Sequence, residues 1–369
     1  MNFDEIFECC IDKIDNWKSN NLKPSDLKSN LYFSMTNKVY KIENIKKVPP
    51  YAVIFRVFSK TDKIINLDLN STLFKACAHD GIGPQILYDQ TPKYRIEEFL
   101  EGRVLTFLEF NNKLIIESFA RKICDFHYNS ALKKILIEKD SRNPFVMNVF
   151  DTWINTFKSE YSFYLSRVTT PRNKFIMEQL SYILTDEFKD NYFELLPKGV
   201  QEVVASHNDI LENNIILINN DRNKLYIIDY EYTHLNFRAY DLSLYLLESK
   251  FDYTNPDFPF FAYYEEACLT EHNFDYLIEA YLDHYFKNYY SGKKQYEEYM
   301  NDETPILKEE VIKLEPINVI IWGIWAILVI DWENLDENCY NFEFSFHKLE
   351  LFKKLRSRIN LKTKSNNNN

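Results

Sequence analysis

Two short apolar runs carry acidic and amide side chains of the types that phosphoryl transfer requires. Asp209 and Asn214 lie five residues apart between these runs, and Asp229 closes the second run. Transfer to a hydroxyl needs a carboxylate that orients the hydroxyl and accepts its proton, and oxygen ligands that hold Mg²⁺ against the nucleotide phosphates. Asp209 suits the first role, and Asn214 and Asp229 suit the second. Taken singly, each residue is more typical of a hairpin turn, but their order and apolar flanks together favour the catalytic interpretation.

The elements that must position these residues form a strand-rich first part and a helical second part. Apolar spacing predicts an opening helix over residues 3–18, and β-branched and aromatic residues predict strands. The predicted strands cover residues 31–33, 39–42, 51–58, 86–88 and 94–100, and a short helix covers residues 71–78. From about residue 104 onward, apolar residues recur every three or four positions. The predicted fold class is therefore α+β.

A polar stretch with one glycine, from Leu100 to Arg103, marks a predicted hinge between the two parts. We therefore predict an N-terminal lobe over residues 1–100 and a C-terminal lobe over residues 101–363. The Asn-rich end, residues 364–369, is low in complexity and is predicted to be disordered.

Composition excludes several classes of function. The formal net charge of −11 repels a polyanion, so nucleic acid is not an expected partner. The six cysteines lack the spacing of zinc ligands and are expected to be reduced thiols. The N-terminus has no basic region followed by an apolar core, and the apolar run from Val319 to Ile330 is too short to span a bilayer. We therefore expect a cytoplasmic protein without a membrane span.

The spacing of the acidic and amide residues resembles the HxD…N…D pattern of the protein-kinase-like fold. The form His207-Asn208-Asp209, with Asn in place of Arg, is similar to the small-molecule branch that includes aminoglycoside phosphotransferases and choline kinases. The resemblance implies two lobes, a small strand-rich N-lobe and a larger, mostly helical C-lobe. It also implies ATP as the co-substrate, bound by the N-lobe, and Mg²⁺ as the cofactor, held by Asn214 and Asp229.

Two later segments resemble choline and ethanolamine kinases more narrowly. Residues 228–241 resemble the signature of that family, and residues 321–325 resemble its WGLW motif. The resemblance implies that Glu248 and Tyr253 line an amino-alcohol pocket in the C-terminal lobe.

Trp322 and Trp325 lie three residues apart and so share one face of a predicted helix. Two indoles on one face can form part of an aromatic box for a quaternary ammonium, which stabilises the bound cation by about 2 kcal/mol or more when it is desolvated. Alone, such a pair is more typical of a packed core. Together with the catalytic residues it favours cation binding, with Glu248 as the counter-ion.

Fewer residues of the sequence indicate how the nucleotide would bind. Arg56 lies in a predicted strand where protein kinases have a lysine, and its planar guanidinium suits phosphate oxygens, although an outward-facing arginine on an edge strand is an equal alternative. The resemblance implies that the backbone around Glu98 and Leu100 binds adenine. It also implies that Thr36 and Asn37 belong to the phosphate-binding loop.

Two positions depart from the family pattern. The family usually has two glycines before the Thr-Asn pair, whereas residues 33–35 are Phe, Ser and Met. Glycine permits close approach of the backbone to phosphate. In addition, the helix glutamate that should pair with Arg56 is replaced by Asn70, with Asp68 nearby.

We therefore predict an ATP-dependent choline kinase that makes phosphocholine, the first step of phosphatidylcholine synthesis. Ethanolamine kinase or dual activity is the alternative: Arg238 and residues 251–261 favour choline, whereas residues 229–232 favour ethanolamine. A different acceptor, such as an aminoglycoside or homoserine, and a non-catalytic nucleotide-binding scaffold are the remaining hypotheses. The family commonly dimerises, so a homodimer is also implied.

Overall fold

The structure, a computed structural model, divides into two compact units. It describes residues 1–32, 37–58, 64–139, 143–199, 202–219, 224–267 and 269–366, with side chains through residue 359. The first unit comprises Met1–Val104 and Asn214–Thr233, and the second comprises Leu105–Asn213 and His234–Asn369. The segment Asn214–Thr233, which we predicted in the C-terminal lobe, therefore packs with the N-terminal part of the chain.

The helices and strands follow the predicted division into a strand-rich and a helical part. The helices of the described residues are α1 (Phe3–Lys13), α2 (Asp15–Ser19), α3 (Leu67–His79), α4 (Lys113–His127), α5 (Ser130–Lys139), α6 (Phe145–Val149), α7 (Asn155–Arg167), α8 (Pro171–Leu180), α9 (Asp186–Leu195), α10 (Ala239–Glu248), α11 (Glu271–Asn288), α12 (Tyr296–Leu328) and α13 (Asn341–Asn366). The strands are β1 (Leu27–Tyr32), β2 (Lys38–Asn44), β3 (Ala52–Val57), β4 (Ile86–Gln90), β5 (Tyr94–Glu98), β6 (Gly102–Val104), β7 (Val203–Ser206), β8 (Ile215–Ile218), β9 (Leu225–Ile227), β10 (His234–Phe237), β11 (Phe251–Asp252) and β12 (Ala262–Tyr263).

Two sequence predictions differ from these bounds at the chain ends. The predicted helix over residues 3–18 is two helices, because Ile14 between them has an extended backbone. The last helix is described through Asn366, so it enters the predicted disordered tail, and residues 367–369 lie outside the described residues.

The first unit is built on a five-stranded antiparallel sheet in the order β1-β2-β3-β5-β4. Apolar side chains at alternate positions of β2, β3 and β5 are buried, because successive residues of a strand point to opposite faces. Helices α1 and α2 cover them with Ile6, Cys10 and Trp17. Because β3 pairs with β2 on one side and β5 on the other, it lies inside the sheet and not at its edge.

A second, smaller sheet of the first unit pairs β6 with β8 and β8 with β9. Gly102 faces Ile218 in this sheet, and a Cβ atom at Gly102 would lie 2.5 Å from the carbonyl oxygen of Leu217. Glycine is therefore required here by close approach of two strands, whereas the sequence suggested a hinge. The same pairing explains why Asn214–Thr233 belongs to the first unit.

The second unit is mainly helical, with α12 packed against α10, α11 and α13. Helix α12 is 33 residues long, and it is the one helix of the described residues that is long and apolar enough to cross a membrane. However, 83% of its most apolar window is buried inside the protein. Most of the run from Val319 to Ile330, which we expected to be too short to span a bilayer, is part of this longer helix, and burial inside the protein accounts for its apolar character.

Candidate active site

The candidate catalytic loop of the second unit follows β7 and is held by one buried carboxylate. Asp241, in the first turn of α10, is fully buried. Its Oδ2 accepts hydrogen bonds from the backbone N–H of His207 at 2.7 Å, from Ser206 Oγ at 2.9 Å and from His127 Nε2 at 2.9 Å. Its Oδ1 accepts from the backbone N–H of Asn208 at 2.8 Å. Burial opposes ionisation of Asp241, but these donors hold its pKa below the ordinary value, so the loop is organised around a carboxylate.

Asn208, the residue before Asp209, suits the backbone conformation that this loop adopts. Asn208 has a φ of +67°, in the left-handed region that asparagine tolerates better than most residues. Its side chain is buried, donates to the carbonyl of Ser206 at 3.2 Å and accepts from Asn236 Nδ2 at 2.8 Å. The turn therefore projects Asp209, which is partly exposed, out of a fixed backbone.

Asn214 and Asp229, the predicted metal ligands, both lie in the first unit. The backbone N–H of Ile228 donates to the carbonyl of Asn214 at 2.9 Å, so the residue next to Asp229 is tied to Asn214 across β8 and β9. Asp229 has a φ of +71°, and its side chain is about one quarter exposed. Mg²⁺ is commonly held by one or two protein ligands together with phosphate oxygens, so an Asn and an Asp tied in this way fit it. Among the described residues, no group of three or more His, Cys, Asp or Glu forms a metal cage.

Arg56 is the centre of a buried ionic cluster in the same unit. Its Nε donates to Glu97 Oε1 at 3.1 Å, and its Nη1 donates to Asp229 Oδ2 at 3.3 Å. Burial opposes the charge of the guanidinium, but the carboxylates of Asp229 and Glu97 more than offset it, so the pKa of Arg56 is raised. The alternative of an outward-facing arginine on an edge strand is wrong, because Arg56 is 6% exposed on an inner strand.

Glu97 was missed as a partner of Arg56 by the sequence analysis. Strand pairing places Arg56 opposite Arg95, so Glu97 is the diagonal neighbour on the same face of the sheet. Glu97 also accepts from Arg95 Nε at 2.9 Å. Asn70, at the position of the expected helix glutamate, instead accepts from Arg95 Nη1 at 3.4 Å. A carboxylate two residues from a strand arginine was the available signal, but it required the register of β3 against β5.

Of the other predicted nucleotide contacts, Asn37 and Glu98 have hydrogen-bond partners within the protein. Asn37 is buried, and its Nδ2 donates to Glu231 Oε2 at 3.3 Å, whereas Thr36 lies outside the described residues. The backbone N–H of Glu98 donates to the carbonyl of Gln85 at 2.8 Å, so that group is already used. The adenine contacts of Glu98 and Leu100 remain predictions.

Glu248 and Tyr253, the predicted amino-alcohol contacts, lie together in the second unit. Glu248 is the last residue of α10 and is 5% exposed. Burial raises its pKa, which the ammonium of Lys348, 3.8 Å away, and a hydrogen bond from Tyr253 partly offset. Tyr253 stacks on Phe251 with ring centroids 5.7 Å apart.

The two predicted tryptophans form a pair on α12. The ring centroids of Trp322 and Trp325 are 5.6 Å apart, with an angle of 70° between the planes. Both side chains are largely buried, and Trp153 packs edge-on against Trp322 at 6.3 Å. The i, i+3 spacing thus places the indoles on one face, as predicted. Their role in binding a cation remains a prediction.

A second buried carboxylate near Glu248 was not predicted. Glu212 lies between the predicted catalytic residues Asp209 and Asn214, and it is 2% exposed. Burial, followed by the charges of Glu248 and Asp252, raises the pKa of Glu212 to about 7. The sequence offered no signal that separates this glutamate from its exposed neighbour Asn213.

Comparison with known proteins points to one family. A family model for choline/ethanolamine kinases matches residues 29–353. The chain is similar to human choline/ethanolamine kinase, with 27% identity over 312 residues that cover 81% of this chain and 73% of the relative.

Solved structures agree on the fold. Choline kinase from Cryptosporidium parvum superposes with a TM-score of 0.76 and 20% identity, covering 98% of this chain and 97% of that chain. Ethanolamine kinase from Plasmodium vivax superposes with a TM-score of 0.65 and 18% identity, covering 95% and 90% of the two chains. The predicted α+β, protein-kinase-like fold is therefore confirmed.

Proposed function

The chain belongs to the choline/ethanolamine kinase family, and we propose that choline is the preferred acceptor of its ATP-dependent phosphoryl transfer, with ethanolamine second. The edge-to-face pair of Trp322 and Trp325 carries this preference. A quaternary ammonium cannot donate hydrogen bonds, so it depends on ring faces more than a primary ammonium does. A primary ammonium gains relatively more from charge-assisted hydrogen bonds to a carboxylate such as Glu248.

In the proposed reaction Asp209 orients the acceptor hydroxyl and accepts its proton. The hydroxyl oxygen attacks the γ-phosphorus of ATP, the bond to the β-phosphate oxygen breaks, and ADP leaves. The Asp241 network supports this role because it fixes the backbone on both sides of His207. The turn at Asn208 then leaves Asp209 few alternative positions.

Asn214 and Asp229 would hold Mg²⁺ through their side-chain oxygens. The bound ion would neutralise charge on the phosphate oxygens. Arg56, fixed by Glu97 and Asp229, carries a permanent positive charge beside one of these ligands, and we assign it to phosphate binding. Thr36, Asn37, Glu98 and Leu100 complete the proposed ATP contacts.

Glu248, Tyr253, Trp322 and Trp325 would bind the cationic head of the amino alcohol. The carboxylate of Glu248 is the counter-ion, and the ring faces supply cation–π attraction. Competition kinetics test the preference: the purified protein with ATP and Mg²⁺ should release ADP with a higher kcat/KM for choline than for ethanolamine. A higher kcat/KM for ethanolamine would reverse the assignment.

One of the two observations that favoured a non-catalytic nucleotide-binding scaffold no longer supports it. The scaffold hypothesis rested on the missing Gly-Gly pair and on the missing partner of Arg56, but Glu97 supplies that partner. Absence of any ADP release with choline or ethanolamine would restore it. A cytoplasmic location, the absence of a membrane span, the exclusion of nucleic acid as a partner and a homodimeric state remain predictions.

A further inference from the structure

A lysine ammonium is buried beside the proposed counter-ion of the substrate. Lys348 of α13 is 0% exposed, and its Nζ lies 3.8 Å from Glu248 Oε1, beyond hydrogen-bond distance. The same Nζ lies 3.6 Å from the ring centroid of Phe251 and 4.9 Å from that of Phe344. Among the described residues it has no hydrogen-bond partner. An ammonium held by ring faces and a carboxylate is the same chemistry that the head of an amino alcohol requires.

Gly323, between the two tryptophans, determines how Lys348 reaches this position. A Cβ atom at residue 323 would lie 2.9 Å from Lys348 Cβ and 3.5 Å from the carbonyl oxygen of Ser345. Helix α13 can therefore lie against α12 at this point only because residue 323 has no side chain. The segment of α12 that contains Trp322 and Trp325 therefore also packs against the side chain of Lys348, whose ammonium lies near Glu248.

The electrostatic surroundings of the pair are mostly acidic or neutral. Burial lowers the pKa of Lys348 to about 8, and the Glu248 carboxylate offsets this in part. His347, the next residue on α13, has a pKa lowered to about 4 by burial, so it is uncharged at neutral pH. The other charged or titratable groups around the pair and its neighbours are Glu212, Asp252, Tyr253, Tyr340 and Lys354.

We propose that Lys348 is a specificity-determining positioning residue whose ammonium competes with the cationic head of the substrate for the Glu248 carboxylate. The proposal rests on the assignment of Glu248 as the counter-ion of the head. Two like charges beside one carboxylate repel each other, so the charge of Lys348 weakens cation binding. A substrate that relies on ring faces, as choline does, is penalised less than one that relies on Glu248. The lysine thereby favours the quaternary head.

Choline is a suitable probe because its own charge does not change with pH. The dissociation constant of choline for the whole protein is measured by titration calorimetry at pH 7 and pH 9. Above its pKa Lys348 loses its charge, so the wild-type protein should bind choline about threefold to tenfold more tightly at pH 9. Lys348→Met should bind choline more tightly than the wild type at pH 7 and about equally at pH 9, whereas Lys348→Arg, which stays charged, should bind more weakly than the wild type at pH 9. Comparison at one pH removes the contribution of Glu212, whose pKa of about 7 lies in the same range.

The matched control is Lys353→Met, which changes a half-buried lysine on the same helix that pairs with Glu350. It should keep the pH dependence of the wild type. In Lys348→Met the choline-to-ethanolamine ratio of kcat/KM should fall. In a Glu248→Gln background Lys348→Met should no longer change this ratio, because the two acceptors differ in their reliance on the Glu248 carboxylate.

Equal choline dissociation constants for the wild type and Lys348→Met at both pH values would overturn the inference. So would weaker binding by Lys348→Met that Lys348→Arg restores, since this would show that the charge helps binding. If Lys348→Met does not fold, the comparison of the wild type with Lys348→Arg across the two pH values decides. Failure of the wild type to bind choline at all would instead refute the proposed function.

Discussion

Each unit of the molecule buries a cation beside a carboxylate, but the two cations are held differently. In the first unit, Arg56 donates hydrogen bonds to Glu97 and Asp229, and its pKa is raised. In the second unit, the partners of Lys348 among the described residues are a carboxylate beyond hydrogen-bond distance and two ring faces, and its pKa is lowered. Hydrogen bonds to ionised partners repay the cost of burying a charge, whereas proximity alone does not. The positive charge of Arg56 is therefore permanent, whereas that of Lys348 can change with pH. A permanent charge suits the proposed phosphate site, and a variable charge suits the proposed cation site.

The largest expected effect separates chemistry from binding in both units. Asp209→Asn removes the carboxylate that we propose accepts the hydroxyl proton but keeps the size of the side chain. We expect kcat to fall by about a thousandfold or more. Binding of ATP and choline, measured by calorimetry, should change little, because neither charged cluster is altered. A variant that keeps most of its turnover would show that another group accepts the proton.

Removal of the Glu97 carboxylate from the buried Arg56 cluster should destabilise the protein. Glu97→Gln leaves Arg56 and Arg95 without their shared buried carboxylate, so we expect the free energy of unfolding to fall by about 3–5 kcal/mol. Urea denaturation measures this loss, and the KM for ATP should rise in parallel. The control, Glu101→Gln, changes an exposed glutamate three residues after the same strand and should be nearly neutral. Equal losses in the two variants would contradict a special role for the Arg56 cluster.

The contact between Gly323 and Lys348 should be sensitive to one added methyl group. Gly323→Ala places a Cβ against Lys348 Cβ, so we expect a loss of about 1–3 kcal/mol in the free energy of unfolding. Lys348→Gly removes the opposing Cβ. The cost of Gly323→Ala should therefore be smaller in that background, which a double-mutant cycle measures. Strict additivity would mean that the two residues do not meet.

The smallest effect concerns the ring faces. Trp325→Ala should raise the KM for choline by about tenfold and the KM for ethanolamine by less, because the quaternary head depends more on the indole. Steady-state kinetics with both acceptors give the two values. Trp332, which stacks on Tyr164 with centroids 4.6 Å apart, provides a control, since Trp332→Ala should leave the ratio unchanged. Equal effects of Trp325→Ala on both acceptors would count against the aromatic box.

The sequence predicted what depends on neighbouring residues. Asp209 and Asn214 are five residues apart, and Trp322 and Trp325 share a helix face, so local spacing was enough to group them. The strand position of Arg56 followed from its β-branched and aromatic neighbours. The fold class and the family were likewise predicted from these motifs.

What the sequence could not predict depends on register and on packing between distant elements. The Arg56–Glu97 pair joins residues 41 positions apart and requires the alignment of β3 with β5. The Lys348–Glu248 pair requires the place where α13 crosses α12, which is set by the missing side chain of Gly323. The grouping of Asn214–Thr233 with the first unit follows from the pairing of β6 with β8, which a linear division of the chain cannot show.

Formation of phosphocholine tests the central claim most directly. The purified protein is incubated with ATP, Mg²⁺ and choline, and the products are followed by ³¹P NMR. We predict that the γ-phosphate signal of ATP is replaced by a phosphomonoester signal in step with ADP, and that Asp209→Asn gives neither. Release of inorganic phosphate alone, or an unchanged spectrum from the folded wild-type protein, would contradict the account.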